Sequence, residues 1–101
     1  MALNKRHQAI GGYLKKSRKI NQITQRDMAR AIGCHPQFVS NIERGLAPPP
    51  NTILPRWLSV LRINKGDWIK FELKLKKQEL ETVLSQMKAP PPVRRQARRS
   101  L

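Results

Sequence analysis

Apolar residues in this chain recur at intervals of three and four, and no alternating run is long enough to mark a strand. That period puts one face of a helix against a core. Ile10 and Leu14, followed by Ser17, share one face of a first helix over about residues 5–20. Gly11 and Gly12 weaken it, by about 1 kcal/mol each relative to Ala. Thr24 is placed to cap a second helix, Gln25 to Ile32, whose apolar stripe is Met28, Ala29 and Ile32; Gly33 breaks it. A third helix begins near Pro36, a residue suited to a first turn because its missing N–H has no partner there. Phe38, Val39 and Ile42 form its apolar face, and Gly45 ends it.

The run Pro48-Pro49-Pro50 makes a stiff loop. A fourth helix follows from about Asn51 to Leu61, with Leu54, Trp57, Leu58 and Leu61 at helical spacing and Pro55 in its first turn. A longer fifth helix runs from about Gly66 to Lys88, where Ala89-Pro90-Pro91-Pro92 stops it. Val93 to Leu101 is too polar and basic to order itself. The fold expected is therefore all-α, with five helices, the last one extended, and a disordered basic tail. The divisions are a helical domain over residues 1–70, a C-terminal helix over 71–88, and a Pro- and Arg-rich tail over 89–101.

Charge narrows the function. The 101 residues carry 21 Lys and Arg against 6 Asp and Glu, a net of +15. Such an excess attracts polyanions. Nucleic acid is the first partner to consider and an anionic membrane surface the second. The excess concentrates at the two ends: residues 1–64 have a net of +9 and residues 89–101 a net of +4. No apolar run is long enough to span a membrane, and Met1 to Ile10 has no stretch resembling a secretory signal. The one cysteine, Cys34, forms no internal disulfide and belongs to no cluster with metal-ligand spacing. It reads as a small core residue, which fits a reducing cytosol. No metal or other cofactor is expected. The acidic residues Asp27, Glu43, Asp67, Glu72, Glu79 and Glu81 make no evident catalytic pair, so an enzyme is not expected.

The most specific signal lies between Thr24 and Gly45. Two short helices joined by a tight turn need a small residue where they cross, and Ala29 is there. They need a residue tolerant of a left-handed backbone in the turn, and Gly33 is there. Met28, Ile32, Cys34, Val39 and Ile42 line the inner faces.

This constellation resembles the Cro/C1-type (Xre-like) helix-turn-helix domain of phage and bacterial repressors, a lambda-repressor-like fold. The matching segments are Ser17-Arg18, Ile23-Thr24-Gln25, Met28 to Gly33 and Phe38 to Gly45, then Leu54-Pro55 through Leu61, Ile63 and Trp68. The resemblance covers about residues 8–70. It implies double-stranded DNA as the partner, transcriptional regulation (most simply repression) as the function, and a bacterial or phage origin with a cytoplasmic, nucleoid-associated location. It makes residues 36–44 the recognition helix in the major groove. Gln37 and Asn41 match base-reading positions, since either amide can bond an adenine edge bidentately. Ser40 belongs to the same group, as a reader or as a small residue allowing close approach. Pro36 occupies a further base-reading position but brings no polar side chain to it. Gln25 resembles the glutamine that bonds a DNA phosphate at a helix start, with Thr24 beside it. Arg44 matches a phosphate contact, and His35 is either a further one or an exposed cap. Arg18 and Glu43 resemble a structural salt bridge between the first and third helices. The loop Leu46 to Pro50 departs from the family, because it offers no charged contact to the backbone.

Two features lie beyond the motif. Leu73, Leu80 and Met87 stand seven apart with Ile69 and Val83 between them, a short coiled-coil pattern that Lys76 interrupts. With Leu84, they suggest a homodimer contact on a stretch with no obvious partner in its own domain, while Trp68, Ile69 and Phe71 pack on the domain. Arg94, Arg95, Arg98 and Arg99 form a basic arm suited to phosphates or the minor groove. Two other functions compete. One is an antitoxin or similar protein that binds a protein partner and uses DNA for autoregulation. The other is a protein that holds nucleic acid by charge alone, against which stands the small number of aromatics, five, four of which look like core.

Overall fold

Three of the helices begin at a short polar side chain that replaces a missing backbone partner. Asn4 Oδ1 accepts from the N–H of His7, Thr24 Oγ1 from Asp27, and Asn64 Oδ1 from Asp67. Such caps contribute about 1 kcal/mol each. The computed structural model describes residues 4–87, and within them the helices are α1 (Lys5–Ile20), α2 (Gln25–Ile32), α3 (Pro36–Glu43), α4 (Leu54–Val60) and α5 (Lys65–Leu84). There are no strands among the described residues. The all-α, five-helix expectation therefore holds, with two boundaries displaced. Residues 51–53 are a turn, in which the Pro50 carbonyl accepts from both Ile53 and Leu54, so α4 starts three residues late. α5 stops at Leu84, short of the triple proline, after a stretch with no packing to support it.

The core gathers the predicted stripes. Leu14, Met28, Val39, Ile42, Trp57 and Leu61 are fully buried, with Ile10, Ala29, Ile32 and Trp68 nearly so. Trp57 sits under α3, its ring centroid 6.3 Å from that of Phe38. Its indole N–H is buried without a hydrogen-bond partner. Cys34 is half-buried at the margin of this core rather than inside it, and desolvation pushes its thiol pKa up.

Glycine is required at two points, for a left-handed backbone at one and for a close approach at the other. Gly33 ends α2 at φ 76°, and the next amide, of Cys34, donates back to Ala29. Gly11 lets α1 lie directly on the end of α3: a Cβ there would be 2.7 Å from the Glu43 carbonyl oxygen and closer still to that of Ile42. The composition-based reading of Gly11 as a mere weakness is thus incomplete.

α5 is tied to α1 more than the sequence suggested. Tyr13 stacks on Phe71 with centroids 4.2 Å apart, and Trp68 tilts against both. Leu75 is buried, and Arg6 forms ion pairs with Glu72 and, at 3.8 Å, with Glu79. The expectation that the helix beyond Leu73 has no partner in its own domain is therefore wrong on this face, because Arg6 and Leu75 bring α1 to it. The opposite error concerns Ile69, which was expected to pack and is 48% exposed.

Candidate nucleic-acid interface

The outward face of α3 follows from its inward one. Val39 and Ile42 are buried and Phe38 is half-buried, so residues on the other side face solvent. Gln37, Ser40, Asn41 and Arg44 stand at i, i+3, i+4 and i+7, one stripe of a helix. Gln37 and Arg44 are exposed, Ser40 and Asn41 partly so. The Gln37 amide Nε2 donates to Asn41 Oδ1 at 2.9 Å, which aligns the two side chains. Pro36 opens the helix and is exposed. His35 is its N-cap residue but makes no side-chain cap bond, leaving the imidazole in solvent.

The start of α2 lies beside this stripe through a buried polar cluster. Glu43 Oε2 accepts from Arg18 Nε at 2.6 Å, and Oε1 accepts from Arg18 Nη2 at 3.1 Å. The Glu43 side chain is 1% exposed and that of Arg18 8%. Oε1 also accepts from Gln25 Nε2 at 2.9 Å. Arg18 Nη1 completes the set by donating to the Ile23 carbonyl at 2.6 Å. Arg18, Glu43 and Gln25 are thus one unit in space. Thr24 precedes it as the α2 cap. The first backbone N–H groups of such a helix have no partner within it and favour an anion.

Only local packing sets the rest. Leu46 is exposed in the loop after α3, and its N–H donates to the Asn41 carbonyl. Arg94, Arg95, Arg98 and Arg99 lie outside the described residues. Sequence reasoning missed Arg6, Leu75 and Asn21, whose amide Nδ2 donates to the Leu61 carbonyl at 3.0 Å and ties α1 to the end of α4. No spacing rule marks such long-range partners.

A narrow polar face on a short helix, held by a second short helix across a glycine turn, is the arrangement that docks in a DNA groove. The sequence profile of the helix-turn-helix family, Cro/C1 type, matches residues 14–68, more than half the chain. The chain belongs to that family. By this membership it is a DNA-binding domain of the transcription-regulator type. Among solved structures it resembles the clp gene regulator ClgR from Corynebacterium glutamicum, with a TM-score of 0.60 and 23% identity, over 82% of this chain and 94% of that one. A second crystal structure of ClgR from C. glutamicum gives a TM-score of 0.61 and 23% identity, over 69% and 90%. These likenesses are of fold. No curated protein matches the sequence. No helix among the described residues is long and apolar enough to cross a membrane.

Proposed function

We propose that this helix-turn-helix protein reads a specific double-stranded DNA sequence as a homodimer and represses transcription by occupying promoter DNA, in the cytoplasm of a bacterium or its phage. The observation that carries the reading is the outward stripe of α3. Gln37 and Asn41 are paired there, away from a core that fixes the helix. In the major groove their amides read base edges, with Ser40 and Pro36 setting how closely the helix approaches. Gln25, Thr24 and Arg44 hold phosphates on either side, His35 contacts the backbone at the start of α3, and the remaining basic charge supplies affinity that falls with salt.

The dimer reading rests on α5. Leu73, Leu80, Val83 and Leu84 are 47–63% exposed and with Ile69 line one stripe of α5, while Met87, 68% exposed, lies past its end. Single exposed apolar residues are ordinary, whereas a contiguous stripe marks an interface. A second copy fits because operators of two-fold symmetry need two reading heads. The same stripe would suit a helix of another protein, as in an antitoxin, and this is the second reading.

Selection from random duplex DNA at near-physiological salt tests the proposal. A short motif with two-fold symmetry is the expected result. Recovery of no motif, with binding that vanishes as salt rises, would leave only attraction by charge.

A further inference from the structure

We propose that Glu43 is a positioning residue for DNA binding: its buried carboxylate holds the Gln25 side chain in one place at the start of α2, with one N–H of its amide left over for a phosphate. The inference rests on the reading of Gln25 as a phosphate contact.

The geometry is that of a pinned donor. A carboxylate accepts hydrogen bonds and donates none, so the amide must turn its NH2 toward it. Gln25 Nε2 lies 2.9 Å from Glu43 Oε1. One N–H is thereby engaged, and the second remains on the same nitrogen, at the start of α2. An unheld glutamine side chain samples many rotamers, and the pin keeps one of them before DNA arrives, which is the usual benefit of preorganisation.

Glu43 can do this only because it is itself fixed. Arg18 engages it through Nε and Nη2 and reaches the Ile23 carbonyl, two residues before Gln25, through Nη1. The Arg18 charge also cancels the buried negative charge, which would otherwise oppose a phosphate nearby. The cluster joins α1, the segment leading into α2, Gln25 itself and the last residue of α3. Glu43 ends the same helix that carries Gln37 and Asn41. The phosphate contact and the reading helix are therefore held at a fixed spacing by one side chain.

The test uses the full chain and a short mixed-sequence duplex, since a phosphate contact needs no particular base. Gln25→Ala is expected to weaken binding about ten-fold, as for a hydrogen bond to a charged group. Replacing Arg18→Met and Glu43→Leu together removes both charges and keeps the site filled and apolar, a change that folds in comparable cases. That double variant is expected to lose part of the same affinity, a few-fold, and adding Gln25→Ala to it to cost correspondingly less than about ten-fold. Losses that multiply would overturn the proposal and leave the cluster a purely structural bridge. Should the double variant not fold, Glu43→Gln serves instead: it keeps oxygen acceptance for Arg18 but turns an NH2 of its own toward Gln25, so the bond from Gln25 Nε2 is lost. The side-chain amide protons of Gln25, followed by NMR without DNA, separate the two layers of the argument. In the native chain one proton of the pair is expected to be shifted from its position in a solvated glutamine and slow to exchange with water, and in Glu43→Gln to return to the solvated position and exchange faster. A pair at the solvated positions in the native chain overturns the pin even if Gln25→Ala loses affinity. A pinned amide with unchanged affinity in Gln25→Ala overturns the phosphate contact and, with it, the positioning role.

Discussion

The first four helices and the far half of α5 use the same kind of sequence pattern to opposite ends. In the first four, apolar residues at helical spacing vanish into a core: Leu14, Met28, Val39, Ile42 and Trp57 are at most 1% exposed. In α5, equally regular Leu73 and Leu80 are 63% and 47% exposed, and Met87, past its end, is 68% exposed. Periodicity says that a face will be buried, and it does not say against what. Where neighbouring elements close over the face, the partner is the chain itself. Along Leu73, Leu80 and Val83 no element among the described residues closes over it, and the proposed dimer would supply the partner.

The largest effects are expected in the first region. Trp57→Ala should cost about 3–5 kcal/mol in stability by denaturant unfolding, because the ring is fully buried beneath α3. A loss under 1 kcal/mol would show that the core is not where the contrast places it. Glu43→Ala should cost a similar amount, about 3–5 kcal/mol, by leaving Arg18 buried without its partner. Gly11→Val should also be severe, since any Cβ there meets the backbone of α3; a folded variant of native stability would mean that α1 and α3 are further apart than described.

In α5 the sign of the test reverses. Leu80→Lys with Val83→Lys should leave the unfolding of the monomer nearly unchanged, within about 0.5 kcal/mol. The same pair should abolish self-association by light scattering. A dimer that survives both lysines places the interface elsewhere. The smallest effect concerns the margin between the regions. Cys34 is half-buried and its thiol pKa is raised by desolvation, so less thiolate is present at neutral pH than in an exposed cysteine. Its reaction with a thiol reagent should be slower in the folded chain than in denaturant and should speed up as pH rises. Equal rates in both states would show that the thiol is open to solvent.

Much of this was legible in the residues. Caps and apolar stripes determined α1 to α3 to the residue at nearly every boundary, because Thr24, Gly33 and Pro36 act locally. The turn at residues 51–53 was not legible: Asn51 and Thr52 are equally at home in a turn or a first helical turn, and the choice depends on the Pro50 carbonyl. Arg6 with Glu72 was invisible for a different reason, since 66 residues separate them and neither belongs to a repeat. The link from Gln25 to Glu43 falls between these cases. Each residue was singled out for its own reason, and only the fold shows that one holds the other.

The most direct test of the central claim, that α3 reads base sequence, compares Gln37→Ala and Asn41→Ala with the native chain on the selected duplex and on a scrambled one of the same length and salt. The account predicts a loss of about 1–3 kcal/mol on the selected duplex and almost none on the scrambled one. Equal losses on both would contradict it, and would make the outward stripe of α3 another contact with the phosphate backbone.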